Sequence, residues 1–383
     1  MAGSNSLWGA SRVIGNERQN RNVLNTNQAL SRRNFVKLSL ASACSLAMAG
    51  LLGGCAANSG AAAGSGSSSS GAETGSSSVA SSEQQSITLF LFDTVIQISA
   101  LCTAEFMDQI SDRCQFFEDK FSRTKEGSDI WNINHAAGAP VEVQPETARC
   151  ISAALGYSEQ TDGLFDITIG AVSSLWDFVN GVKPEDAALQ EAVGHVDYRG
   201  VKVEGTTVTL ADPQAMLDLG GIAKGFITDD LVGMLREAGV QSASLSLGGN
   251  VYVLGPSFRG DDWNVGVQNP NGSANDVIAK IACRDKSLVT SGLYERSFTV
   301  DDTLYYHILD PKTGYPVQTD LSSASVASDS STDGDAYSTI LFLLGHDKAL
   351  DLLNSDDRFE GVLVDMNDNP TISDGADFEL VSA

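Results

Sequence analysis

The order of periodic segments in this chain predicts an α+β fold, because strands and helices come in uneven runs rather than in strict βαβ alternation. Two further observations support that class. Phe106, Ile110, Cys114, Phe117 and Phe121 recur at spacings of four and three, the stripe of one long amphipathic helix. The C-terminal end carries a hairpin-like pair, 361–365 and 370–373, joined through Asn367-Asp368-Asn369. No repeat of solenoid period is present.

Taken in order, residues 86–101 are rich in Thr, Leu, Phe, Val and Ile and read as a strand, which leads into the amphipathic helix. A second helix opens near Pro145 and ends at Gly163, with Ile151, Leu155 and Tyr157 as core residues. Short strands fill 196–211, with turns at Glu204-Gly205 and Asp212-Pro213. A helix starts after Gly221 and stops at Gly239, a C-cap residue, with Leu231 and Leu235 facing inward. Residues 242–247, 263–268, 277–283 and 322–327 read as strands, and one helix covers 333–354.

The N-terminal part reads as an address rather than a fold. Ser31-Arg32-Arg33-Asn34-Phe35-Val36-Lys37 looks like a twin-arginine export signal, followed by an apolar run over 38–52 and by Leu52-Gly53-Gly54-Cys55. The expected division is a signal peptide at 1–54, a lipid-attachment Cys55 with a linker over 55–86, and a catalytic domain over 87–383. The other reading is an uncleaved membrane anchor, although the apolar run is short for a span. The linker is almost all Ser, Gly and Ala, which buries no core and acts as a flexible tether of about 30 Å reach.

The 383 residues carry a formal charge of −25. With six of the 24 basic and one of the 49 acidic side chains upstream of Cys55, the part that follows balances to −30. Such a surface repels nucleic acid and anionic headgroups, so no nucleic-acid partner is expected. An anionic nucleotide would need local relief from a metal ion, from Lys224 or from helix N-termini. There is no C-x-x-C and no Cys/His cluster at zinc spacing; Cys114 and Cys150 fall on apolar helix positions and read as core.

Four segments carry candidate chemistry. Leu217-Asp218-Leu219-Gly220-Gly221-Ile222-Ala223-Lys224-Gly225 reads as a strand end, a double-glycine turn and a helix start. Such a turn either lets backbone approach a phosphate or is only a tight connection. Asp335 and Thr339 lie four apart on one helix face and offer hard oxygens suited to Mg²⁺; helix capping is the alternative. His307 precedes the turn signature Asp310-Pro311-Lys312-Thr313-Gly314 and is either a general base or a satisfied histidine at a strand end. In Gly163-Leu164-Phe165-Asp166-Ile167-Thr168-Ile169-Gly170, an aromatic-lined slot can hold a planar ring, and a strand with an exposed Asp explains it equally well. Neither a P-loop, nor G-x-G-x-x-G, nor a G-x-S-x-G elbow is present.

In this order the segments resemble the ApbE-type FAD:protein FMN transferases. The resemblance extends over Phe92-Asp93-Thr94, Ser128-Asp129-Ile130 with Asn134, the 163–166 and 218–225 motifs, and Leu247-Gly248-Gly249-Asn250. It continues through Thr290-Ser291-Gly292, Tyr294-Glu295-Arg296, 307–316 and 335–339. It implies a single ApbE-like, T-fold-related α+β domain that binds FAD as substrate and Mg²⁺. It also implies a metal site at the Gly221 carbonyl, Asp335 and Thr339, and FAD contacts at Phe92, Leu164, Phe165, Asp166, Asp218, Lys224 and Leu309. Family members are often exported lipoproteins. Three positions depart from the family pattern: Phe92 for Met, Thr124 for an aromatic residue, and Asn250 for Asp.

The implied reaction moves FMN onto a Thr or Ser hydroxyl of a partner protein and releases AMP, with catalytic roles for Asp335 and His307, and with His307 or a nearby carboxylate as the proton acceptor. The expected partner is an acceptor flavoprotein subunit of an exported or membrane redox system. The expected location is the outer side of the bacterial cytoplasmic membrane, by lipid anchor, or the periplasm. An FAD diphosphatase using water at the same site, and a lipid-anchored flavin-binding protein without turnover, are the alternatives.

Overall fold

The computed structural model describes residues 79–273 and 276–381. The leader, Cys55 and most of the linker lie outside them. The stretch read as one strand is a hairpin, β1 (Ala80–Leu91) and β2 (Thr94–Cys102), whose register runs from Ala80↔Cys102 to Leu91↔Thr94. It turns on Phe92 and Asp93, both left-handed at φ 54° and 55°, where no glycine or proline signals a turn. β1 also reaches back to Ala80, inside the segment read as linker.

The stripe of α1 (Ala104–Phe121) is buried as its spacing predicts, and the Thr103 hydroxyl caps it by accepting from the Phe106 amide. A helical stretch follows: α2 (Asp129–Asn134), α3 (Pro145–Gln160), α4 (Gly170–Ser173) and α5 (Asp186–Val193), with β3 (Val141–Glu142) after α2. β5 (Thr207–Leu210) pairs with both β3 and β4 (Val201–Glu204) in a small sheet, and α6 (Ala223–Glu237) comes next.

The second half supplies β6 (Ala243–Leu247), β7 (Asn250–Leu254), β8 (Trp263–Gln268), β9 (Val277–Cys283) and β10 (Lys286–Gly292). The hairpin β11 (Ser297–Val300) and β12 (Thr303–Tyr306) leads to β13 (Leu321–Ser328). The helix expected over 333–354 is two, α7 (Ser331–Leu344) and α8 (His346–Ser355). Gly345 breaks it at φ 76°, and the Asp320 carboxylate accepts the His346 amide. β14 (Glu360–Asp365), β15 (Pro370–Ile372) and β16 (Phe378–Leu380) follow.

Eight strands form one antiparallel sheet in the order β1-β2-β6-β7-β10-β13-β14-β15. Alternation splits its side chains between two cores. Leu245, Ala324, Val326 and Leu363 join Phe117, Leu231 and Phe342 from the helices on one face. Val253, Leu288, Ala327, Val362 and Val364 meet the small sheet β16-β9-β8 on the other. Helices on one face of an antiparallel sheet are the α+β arrangement the sequence predicts. A third cluster, around Trp176, Leu189 and Leu309, lies outside both.

Candidate active site

The site forms where α6 crosses α7. A Cβ on Gly225 would lie 2.7 Å from both the Ser331 carbonyl carbon and the Asp335 Cβ, so only glycine permits the crossing. Asp229, one turn further along α6, then accepts the Ser331 and Thr332 amides and both the Ser330 and Thr332 hydroxyls. The α7 N-terminus is thus held by the helix it crosses.

Asp335 is 2% exposed. Its Oδ2 accepts the Gly225 amide at 2.8 Å and its Oδ1 accepts the Lys224 Nζ at 3.1 Å. Lys224 is accordingly half-buried and paired, not a free surface lysine. One turn along α7, Thr339 Oγ1 lies 3.3 Å from Ser291 Oγ on β10 and 3.8 Å from the Cβ position of Gly221.

The segment leading to Gly221 is not the strand end expected. It is an extended stretch with one parallel bridge, Ile169↔Met216, and one further bond, Asp218 amide to Ile167 carbonyl. A side-chain clamp holds it in place. The Asn134 amide accepts the Leu217 N–H at 2.6 Å and donates to the Leu217 carbonyl at 2.9 Å. Asp218 receives the Gly220 amide (2.9 Å), the Ser173 hydroxyl (2.6 Å) and the Arg123 guanidinium (3.3 Å). Neither Gly220 nor Gly221 needs a positive φ. Close approach is their reason: a Cβ on Gly221 would lie 3.0 Å from the Phe165 ring.

Phe165 therefore forms the floor under the glycine turn, with the half-buried Leu164 beside it. Asp166 is buried rather than exposed on a strand. Its oxygens accept the Thr168 amide and hydroxyl and the Tyr198 amide, so its carboxylate is spent on shaping the loop, and burial raises its pKa. Leu309 sits in the third core cluster and pairs with Pro316. Phe92 occupies the β1–β2 turn, tied to α1 through Glu118, and Thr94 beside it fills the space that a Cβ on Gly248 would need. Asn250 is fully buried, with its Oδ1 accepting from Ser331 Oγ under the α7 start.

His307 and Glu295 flank the Lys224–Asp335 pair through its field. Burial first, then the cations Arg296 and Lys224, push the His307 pKa down to about 3, so the ring is neutral at physiological pH. Its Nδ1 is buried with no hydrogen-bond partner. Glu295, in the turn after β10, is open to solvent. The surrounding protein raises its pKa, Lys224 and Arg296 oppose the rise, and the Asp335 charge adds to it. The donor set at the crossing fits Mg²⁺: one buried carboxylate, a hydroxyl and a backbone carbonyl are hard oxygens, and substrate phosphates complete such a shell. No group of three or more His, Cys, Asp or Glu able to hold a metal occurs among the described residues.

Of the residues proposed from sequence, Phe165, Asp218, Gly221, Lys224, His307, Asp335 and Thr339 gather here. Asp166 holds the loop beside Phe165, and Leu309 lies in the third core cluster. Sequence reading missed Arg123, Asn134 and Ser173 as the groups that set the glycine turn, and gave no role to Ser291 or Glu295.

Comparison with known proteins agrees with this geometry. A FAD:protein FMN transferase of Treponema pallidum is 37% identical over 275 residues, 67% of this chain and 75% of that protein. One of Klebsiella pneumoniae is 36% identical over 66% of this chain and 79% of its own. The crystal structure of the ApbE protein of Thermotoga maritima superposes with a TM-score of 0.70 at 31% identity, covering 76% of this chain and 97% of that one. The flavin transferase ApbE of Vibrio cholerae, at 22% identity and a TM-score of 0.66, shares the fold. The ApbE family model matches residues 92–363, a span that takes in every site residue from Phe92 to Thr339, and the chain belongs to the ApbE family.

Proposed function

We propose that this chain is an FAD:protein FMN transferase, which moves FMN from FAD to a Thr or Ser hydroxyl of a partner protein. The observation that carries the reading is the α6–α7 crossing, where Lys224 and a buried carboxylate meet beside a glycine turn in a chain of this family. In the reaction the acceptor oxygen bonds to the phosphorus bearing riboflavin, the P–O bond to AMP breaks, and the hydroxyl proton is lost to a base.

Lys224 offsets the negative charge of the diphosphate in a strongly acidic protein. The glycine turn brings backbone close to it, and Phe165 supports that turn. Neutral His307 is able to accept the hydrogen bond of the incoming hydroxyl. Mg²⁺, held by Asp335, Thr339 and the Gly221 carbonyl, would neutralise charge on the departing phosphate. Incubation with FAD, Mg²⁺ and an acceptor protein tests the reading. A fluorescent acceptor band supports it, whereas free FMN with AMP indicates a diphosphatase and unchanged FAD indicates binding alone.

The leader and Cys55 motivate a second part of the proposal: the enzyme is exported, lipid-anchored outside the cytoplasmic membrane, and serves an acceptor flavoprotein subunit of a redox system there. Cys55→Ser is expected to move the protein from the membrane to the soluble fraction. Retention in the membrane fraction would mean that the apolar segment stays as an anchor.

A further inference from the structure

Of the nine large apolar side chains most exposed among the described residues, five belong to two packed segments, Leu175, Val179, Val182, Val300 and Leu304; Val300 shares the Phe298 face of its hairpin, whereas Leu304, paired with Thr299, projects from the other. Val300 and Leu304 belong to the β11–β12 hairpin, and the other three to the loop between α4 and α5. The two segments are packed together. The Cβ position of Gly181 is 3.5 Å from the Phe298 ring, and the Phe178 and Phe298 rings are 5.6 Å apart. Beneath them Trp176 donates to the Gly314 carbonyl, which fixes the loop to the turn that follows His307.

The root of the hairpin is part of the site. Arg296 precedes β11 and His307 follows β12, and the His307 amide donates to the Arg296 carbonyl at 3.1 Å. Four strand residues at roughly 3.3 Å each put the hairpin tip about 13 Å from that root. The rim is acidic: Asp177, Glu185, Asp301 and Asp302 face solvent wholly or in part, while Lys183 is paired with Asp186 at 2.7 Å.

We infer that this surface docks the acceptor polypeptide, as an extended segment whose apolar side chains lie on Val179, Val182 and Val300 and whose Lys or Arg residues meet the acidic rim. The inference rests on the transferase reading, since a hydroxyl carried by a protein needs a protein-binding surface continuous with the site. Charge complementarity selects a basic segment, and the hairpin length places the reacting hydroxyl about four extended residues from the anchoring apolar groups.

The test offers the enzyme a peptide library randomised on both sides of one threonine, with FAD and Mg²⁺, and sequences the FMN-bearing products by mass spectrometry. The wild type is expected to enrich apolar residues together with Lys or Arg. Val179→Ser with Val300→Ser should lose the apolar preference and lower kcat/KM for the enriched peptides about tenfold, with FAD affinity unchanged. Asp301→Asn with Asp302→Asn, which tolerates the left-handed backbone there, should lose the basic preference. Products without enrichment, or enrichment unmoved by these substitutions, overturn the docking surface and leave the transferase intact. No FMN-bearing peptide from the wild type also overturns it, and if free FMN and AMP accumulate in that sample the transferase reading falls as well. A wild-type dimer that the valine substitutions dissociate would assign the patch to self-association and overturn the inference.

Discussion

Asp335 carries two separable burdens, one in stability and one in catalysis, and two substitutions distinguish them. Asp335→Ala removes the acceptor of the buried Gly225 amide, at 2.8 Å, which costs about 1–3 kcal/mol. It also unpairs Lys224, whose 24% exposure keeps that loss near 1 kcal/mol. The sum is about 2–4 kcal/mol, tolerable for a domain with 5–15 kcal/mol of stability. Asp335→Asn keeps an oxygen for the Gly225 amide and turns its NH₂ toward Lys224, so it should cost only about 1 kcal/mol. Both variants lose the anionic ligand, and both should lose FMN transfer at limiting Mg²⁺. Urea denaturation measures the first effect and acceptor fluorescence the second. Equal destabilisation by Asn and Ala would refute the amide argument. Near-normal transfer by Asp335→Asn at limiting Mg²⁺ would refute the metal role.

Lys224→Gln should weaken FAD binding by about 1.5–3 kcal/mol, roughly ten- to hundredfold, and riboflavin binding far less; equal losses in parallel titrations would place Lys224 off the diphosphate. Gly225→Ala should destabilise by about 3 kcal/mol or more, because the Cβ would press into the Ser331 backbone and the Asp335 Cβ; a wild-type urea midpoint would contradict the close crossing. His307 has its pKa depressed to about 3, below that of the unfolded chain, so its contribution to stability is full above about pH 6.5 and is lost as pH falls toward 3. His307→Gln should flatten the acid limb of stability in that window, and an unchanged limb in urea midpoints against pH would count against a buried neutral ring.

What could be read from sequence were features with local periods or spacings. The α1 stripe, the β14–β15 hairpin and the i, i+4 pair Asp335 and Thr339 all lie within one element or its neighbour. The arrangement behind them was not legible. Asn134 clamps Leu217, Ser173 and Arg123 converge on Asp218, and Asp229 caps α7; each bond joins residues far apart in sequence, and even Asn134, which stands in a motif, carries no sign of its partner. The β1–β2 turn was missed because Phe92 and Asp93 adopt left-handed backbone without glycine. The glycine turn was legible as a place of close backbone approach, but the groups it approaches within the fold were not. Its residues answer a neighbouring ring and carboxylate rather than a required φ.

The order of strands in the large sheet has a kinetic consequence. β2 pairs with β6 from Ile96↔Leu247 to Ala100↔Ala243, although the chain between Cys102 and Ala243 holds five helices of the first half and α6. Closing that loop costs entropy before the seam returns any contacts, and such non-local pairing makes folding slow. The β1–β2 hairpin is a local contact, whereas the other neighbour of β2 in the sheet, β6, is made much later in the chain. Until β6 arrives the hydrogen-bonding edge of β2 has no partner strand, which marks this seam as a place where a newly made chain is exposed to aggregation.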